Sequence, residues 1–387
     1  MNKKGLKHKK GYHKPDYIFF GVFLLLILFG LIILSSASAI SAYDKFDSKY
    51  YYLFNQLKKG ILPGSLAFFV IYKFIKPKII KNFSIYFYII SLFFMCAVLF
   101  SGIYISGSRS WLDFGIFTFQ PSEILKLTTI LYFSLIFTKG YIDVKNHKTL
   151  WKFILIPMAL GAGLILFQPD LGTFFIYSVV CLCMLVFCGV KKRFILSILS
   201  FAILIFFVVF NSGVFSESRK MRINVFFHPE EYRNTDYAYH INQASVAIGS
   251  GGIFGKGLGH SIQKFLYLPE ISSDSIFAIA AEELGFIFMT GFLLIYLYFI
   301  IRGFSIAKKL KDPYLKYVVA GIMSFIGVQA FINIATMVRL FPLTGVPLPF
   351  VSYGSSLMNV MFVSVAIVFN FSRYTEGEES NFLLKNK

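Results

Sequence analysis

The segment Tyr267-Leu-Pro-Glu-Ile-Ser-Ser-Asp-Ser-Ile-Phe277 sets two carboxylates, Glu270 and Asp274, four residues apart where a polar stretch gives way to an apolar one. A carboxylate at such a boundary can take a proton from a hydroxyl group, a general-base contribution of about 10²–10⁴-fold. The same position suits helix capping by Ser272, Ser273 or Asp274 itself, and spacing alone favours the cap. Glu123 and Lys126, three apart, share one helical face and either pair with each other or line a wet cavity. Asp170, Glu282 and Glu283 are further ionisable residues among apolar runs. Arg109, beside Trp111, can fork onto two phosphate oxygens, and the Pro- and Gly-punctuated stretch from Pro342 to Tyr353, which holds Ser352, reads as a re-entry before a final apolar run.

The segment Gly249-Ser-Gly-Gly-Ile-Phe-Gly-Lys-Gly-Leu-Gly259 is not a nucleotide loop. A Walker loop ending at Gly255-Lys256 needs Gly at 250 and Ser or Thr at 257, where Ser250 and Gly257 stand. The dinucleotide fingerprint fails at Phe254 and His260. Two readings remain. Either the glycines let the backbone approach a bound group, with Lys256 and Lys264 facing an anionic head group, or they serve a compact loop that needs positive φ.

The elements that must position these residues follow from composition. The chain has 387 residues, of which 57% are hydrophobic and 15% charged, with a formal charge of +19. So few charges exclude a single water-soluble globule, and long apolar runs make lipid the solvent. Tyr17 to Ile40 would span about 36 Å as a helix, against a hydrocarbon core of about 30 Å. It is too long for the apolar region of a signal peptide and reads as a retained span. Further runs at 60–75, 83–105, 119–138, 151–168, 171–189, 194–211, 276–302, 316–340 and 350–372 give an all-α, polytopic membrane protein of about ten transmembrane helices. The second run is short and the fourth carries Glu123 and Lys126, so these two are the weakest of the set.

On this plan residues 1–16 form a basic cytoplasmic N-terminus, 17–211 hold helices 1–7, 212–275 form a large extracellular loop, 276–372 hold helices 8–10, and 373–387 form a cytoplasmic tail. Lys and Arg divide 25 to 12 in favour of the side bearing the termini, which places both termini in the cytoplasm. Insertion topology and anionic lipid account for the excess charge, leaving no motive for nucleic-acid binding. The four cysteines all lie in apolar runs and read as small buried hydrophobes. A loop as long as 212–275 is more often functional than decorative.

Taken in order, Gly107-Ser-Arg-Ser-Trp-Leu, Phe119-Gln-Pro-Ser-Glu-Ile-Leu-Lys126, Gln168-Pro-Asp-Leu-Gly-Thr173, Ala247 to Gly259, Tyr267-Leu-Pro-Glu270, Ala281-Glu-Glu-Leu-Gly285 and Pro347-Leu-Pro-Phe-Val-Ser-Tyr-Gly354 resemble the motifs of the SEDS family (shape, elongation, division and sporulation). The stretch from Gly257 to Tyr267 is more similar to the division type, FtsW, and its sporulation relative than to the elongation type, RodA. The resemblance implies a ten-span peptidoglycan glycosyltransferase that polymerises lipid II at the outer face of the bacterial cytoplasmic membrane. It implies that Asp274, four residues after the Glu of Leu-Pro-Glu, is the catalytic aspartate. By the same match Glu123, Lys126 and Asp170 line a central cavity with Arg109 at its mouth. Lys256, Lys264, Glu270 and Ser352 are the remaining substrate-side candidates.

The chain departs from the family pattern at Ile271-Ser-Ser273, where Ala-His-Thr is usual, at Ser275, where Phe is usual, and at Gly354-Ser-Ser356 in place of Gly-Gly-Ser-Ser. Loss of that His removes an orienting or phosphate-binding group. The implied partners are lipid II, a class B penicillin-binding transpeptidase, other divisome proteins and membrane lipid, with no nucleic acid. No cofactor is called for except a divalent cation, magnesium or manganese, as a candidate beside the diphosphate. The alternatives are a lipid-linked precursor flippase and a non-catalytic divisome scaffold. If Asp274 is the base, position 274 must face the cell exterior and open onto an entrance wide enough for a saccharide.

Overall fold

A computed structural model describes residues 13–105, 108–115, 118–138, 147–168, 170–200 and 217–375. The basic stretch 1–12, Gly107, Pro169, most of the expected seventh span and residues 376–387 lie outside the described residues.

The described chain is helical apart from one small sheet. Helix α1 (Tyr17–Ala37) is followed by α2 (Ala39–Phe46) and α3 (Tyr51–Asn55), which runs through a π-helical turn at Gln56–Ile61 into α4 (Leu62–Phe74). The second span, short by hydropathy, is therefore part of a continuous helix from 51 to 74 whose polar first turns conceal its length. Next come α5 (Pro77–Ser101), strands β1 (Ile103–Ile105), β2 (Ser108–Asp113) and β3 (Thr118–Phe119), and α6 (Pro121–Thr138). The third run was expected to stay helical to 105, but α5 stops at Ser101 and β1 turns back to pair antiparallel with β2, which pairs in turn with β3. Then follow α7 (His147–Leu150), a π-helical turn at Trp151–Leu155, α8 (Ile156–Phe167), α9 (Leu171–Phe187) and α10 over the described residues 192–200. The long loop between the seventh and eighth apolar runs holds α11 (Glu217–Phe227) and α12 (Asp236–Ser250). The chain closes with α13 (Ile276–Lys309), α14 (Pro313–Met337) and α15 (Ser355–Phe371).

Local sequence explains several helix starts. Pro77 and Pro313 occupy first-turn positions whose missing N–H no helix bond needs, and Asp312 accepts from the Tyr314 N–H at 2.8 Å. Asp16 caps α1 by accepting from Phe19 N–H and pairs with Arg302 of α13 at 2.8 Å. Helices α1, α5, α13, α14 and α15 are long and apolar enough to cross a membrane, and shorter apolar helices occur at Trp151–Phe167 and Leu171–Phe187. On α5, exposed Phe83, Tyr86, Ile90 and Phe93 face outward, while Ser84 and Ser91 on the inner side bond Tyr314 and Thr128 at 2.9 and 2.8 Å. Small and polar contacts inside with large apolar residues outside is how helices pack when lipid surrounds them. Helices α14 and α15 are buried round most of their surface and form the centre of the bundle.

Candidate active site

Helix α13 is broken near its start. Gly285 adopts φ 75, ψ −179, and a Cβ there would collide with the backbone of Phe254 and Gly255. The break leaves helix donors and acceptors without partners at membrane depth, where each costs several kcal/mol. The glycine-rich segment supplies the replacements. Phe286 and Ile287 N–H donate to the carbonyls of Gly252 and Ile253 at 2.9 and 3.2 Å, while Lys256 and Gly257 N–H donate to those of Glu282 and Glu283 at 3.0 and 2.9 Å. Of the two readings of Gly249 to Gly259, the compact loop is the one observed: its glycines give close approach to α13.

The lysines of this segment face helix carboxylates. Lys256 Nζ lies 2.6 Å from Glu282, which also accepts from Ser261 Oγ and from Ile262 and Gln263 N–H. Lys264 Nζ lies 3.0 Å from Glu283, which also accepts from Ser36 Oγ of α1 at 2.7 and 2.8 Å. Read from sequence as cations for an anionic head group, both instead neutralise α13. Lys126 is likewise engaged, 2.8 Å from Glu123 and 2.9 Å from Gln329 Oε1, with the Phe325 ring 4.8 Å away. Among the described residues Glu123 Oε2 is buried without a hydrogen-bond partner, so this pair is less completely satisfied than the other two.

The remaining candidates also have local partners. Asp170 caps α9, accepting from Thr173 N–H and Oγ1 at 2.9 and 2.7 Å. Arg109 donates to the carbonyls of Gly102 and Phe100, both at 2.8 Å, fastening β2 to the end of α5 rather than reaching for phosphate. Ser352 Oγ accepts from Leu348 N–H at 2.8 Å within the turn before α15. Glu270 has φ 50, and its carboxylate accepts from Ser273 Oγ at 2.8 Å.

Asp274 differs from all of these. It does not cap α13: the capping residue is Ser275, which makes no side-chain cap bond. Three elements hold its backbone. Asn333 Nδ2 of α14 donates to the Asp274 and Val346 carbonyls, both at 2.8 Å, and Tyr353 N–H donates to the Ser272 carbonyl at 2.8 Å. From α12, His240 Nε2 meets Ser275 Oγ at 2.6 Å, and that hydroxyl donates to the Pro269 carbonyl, which leaves Nε2 as the donor of the pair. Burial, aided by Arg222, lowers the His240 pKa to about 4, so this histidine is neutral.

Among the described residues the Asp274 carboxyl takes a long side-chain hydrogen bond from Ser273 Oγ at 3.4 Å and is in no ion pair. Burial, reinforced by the Glu270 charge, raises its pKa from 3.8 to about 7. Gly345, at φ 69, leaves open the space that Asp274 and Arg222 face: a Cβ there would lie 3.7 Å from Asp274 Oδ2 and 4.0 Å from Arg222 Nη1. The carboxyl is thus a base poised near neutrality with a guanidinium across a glycine gap. It is 6% exposed, against the expectation of an open entrance.

Sequence reasoning passed over Arg222, His240 and Asn333. A cationic stretch within the long loop was the one available signal for Arg222. Among the described residues no three His, Cys, Asp or Glu side chains converge, so the divalent cation considered from sequence finds no donor set. Away from Asp274, a mostly apolar cavity of about 570 Å³ lies between α4, α5, α6 and α15, with Lys58, Lys59, Thr118 and Asn359 at its polar end.

Residues 16–377 match the family model FTSW_RODA_SPOVE, described as "Cell cycle protein". The chain is 36% identical over 370 residues to "Stage V sporulation protein E" of Bacillus subtilis (strain 168), covering 93% of this chain and 98% of that one. It is 32% identical over 385 residues to "Probable peptidoglycan glycosyltransferase FtsW" of the same organism, covering 96% and 94%. Among solved structures it shares the fold of a chain in "Structural coordination of polymerization and crosslinking by a peptidoglycan synthase complex", with TM-score 0.76, 21% identity and coverage of 94% and 99%. It also shares the fold of the Thermus thermophilus rod shape determining protein RodA, with TM-score 0.65, 23% identity and coverage of 94% and 98%.

Proposed function

The chain belongs to the FtsW, RodA and SpoVE family of cell cycle proteins, and on that premise we propose that it is a peptidoglycan glycosyltransferase of the division and sporulation type. It polymerises lipid II at the outer face of the cytoplasmic membrane, with both termini inside. One observation carries the assignment: among the described residues Asp274 is a buried carboxylate in no ion pair, and its pKa is raised to about 7.

In the reaction, Asp274 takes the proton from the 4-hydroxyl of the acceptor sugar as that oxygen bonds to the anomeric carbon of the donor. The carbon–oxygen bond to the lipid diphosphate breaks, its electron pair leaves with the diphosphate, and a single displacement inverts α to β. The leaving group is already attached to lipid, so no sugar nucleotide is needed. Lys126, Lys256 and Lys264 are engaged with carboxylates and Arg109 with carbonyls, so Arg222 is the cation placed to face developing charge beside Asp274. The apolar cavity between α4, α5, α6 and α15 suits a polyprenyl tail. The partner that this reading implies is a transpeptidase that cross-links the nascent strand.

Incubating the purified chain with labelled lipid II and no other enzyme tests the assignment. Glycan polymer is expected. Relocation of lipid II across vesicles without polymer would make the chain a flippase, and neither outcome, even with a co-purified transpeptidase, would make it a scaffold.

A further inference from the structure

The turn after α14 holds Arg339 at φ 60, a left-handed conformation that a side chain other than glycine seldom takes. Strain of this kind persists where the surroundings impose it, and it gathers at functional sites. Arg339 lines a cavity of about 80 Å³ together with Arg222 of α11, Tyr237 and Asn242 of α12, and Phe341 and Pro342 of its own turn. Its guanidinium donates to Asn242 Oδ1, and that of Arg222 lies 5.2 Å from the Tyr237 ring centroid and 3.5 Å from the Thr344 carbonyl. Neither arginine is in an ion pair among the described residues. Two guanidinium groups facing one small cavity repel each other unless an anion enters between them.

We propose that Arg339 and Arg222, steadied by Asn242 and Tyr237, form an oxyanion site that grips the diphosphate of the lipid-linked substrate. The proposal rests on the glycosyltransferase reading and adds Arg339 to it as a substrate-binding residue. Arg222 faces the Asp274 gap through Gly345 and this cavity on its other side, so it links the anion site to the base. A diphosphate held there is separated by Arg222 from the carboxylate that deprotonates the acceptor, as a displacement with inversion requires, and two arginine forks match its oxygens better than lysines would. The same chemistry would also accept a carboxylate of the stem peptide, and the test separates the two.

Calorimetric titration of inorganic pyrophosphate, and separately of acetyl-D-alanyl-D-alanine, into the full-length protein in nanodiscs provides that test. Wild type is expected to bind pyrophosphate in preference to the peptide. Arg339→Gly should weaken pyrophosphate binding by about tenfold. It should melt no lower than wild type, because glycine accepts the backbone conformation that strains arginine. Arg339→Lys, which keeps the charge and loses the fork, should fall between them. In lipid II polymerisation, Arg339→Gly should raise KM more than it lowers kcat. Unchanged pyrophosphate affinity in Arg339→Gly, absence of pyrophosphate binding by wild type, or preference for the peptide would overturn the site. These results stand apart from the activity assignment, which fails if wild type makes no polymer whatever it binds.

Discussion

Glu283 and Asp274 lie nine residues apart in one stretch of chain, both buried, and their surroundings are opposite. Glu283 meets Lys264 and Ser36, and its neighbour Glu282 meets Lys256, Ser261 and two backbone N–H groups. Asp274 has its carbonyl fastened from α14 and the nearby Ser272 carbonyl from the turn before α15, yet among the described residues its carboxyl lacks a cation at bonding distance. Matched charges hold α1, the glycine-rich segment and α13 as one frame, and the unmatched charge at the end of that frame is free to exchange a proton. On the proposed reading, the difference separates structural from chemical carboxylates better than burial does, since both kinds are buried.

The frame breaks first under Glu283→Ala, which leaves Lys264 buried without its partner. Destabilisation of about 3–5 kcal/mol is expected, read as a large drop in melting temperature, and melting at the wild-type temperature would dissolve the contrast. Gly285→Ala tests the backbone half of the frame. It forces an alanine into positive φ against Gly255 and should cost at least about 1–3 kcal/mol, with loss of hydrogen-exchange protection at Phe286 and Ile287.

Titration sharpens the Asp274 side. Its folded pKa, about 7, lies above the 3.8 of the free group, so the folded state holds the proton longer than the unfolded chain. Its stabilising contribution is therefore complete below about pH 4 and is lost as pH rises towards 7, while activity runs the other way. Polymerisation should fall about tenfold for each pH unit below the pKa and level off above it. A flat profile between pH 5 and 8 would remove Asp274 from the proton transfer. The smallest effect belongs to Lys256→Ala, about 1 kcal/mol or less, because that lysine is partly exposed and Glu282 keeps four other donors.

Much of the architecture was legible because lipid imposes long apolar runs. Where it was not, the cause is local. The helix containing Gln56, Lys58 and Lys59 hid its length in a polar first half, and Gly102 turned the expected end of the third span into a hairpin. Asp274 was legible from its place between a polar loop and an apolar run, and from the motif around it. The partners of Lys256 and Lys264 were not, because the pairing joins an aperiodic loop to a helix across the Gly285 break, and no spacing rule reaches that contact. Arg222, Asn333 and Arg339 acquire meaning only once α11, α14 and the turn before α15 converge on Gly345 and its neighbours.

The comparison is tested most directly by Asp274→Asn, assayed as purified full-length protein for glycan synthesis from lipid II alongside its melting temperature. The variant is expected to lose about 10²–10⁴-fold in polymerisation while melting at or above the wild-type temperature at pH 7, since a neutral amide replaces a carboxyl that burial disfavours in its charged form. Glycan synthesis at the wild-type rate by a well-folded Asp274→Asn protein would contradict the account.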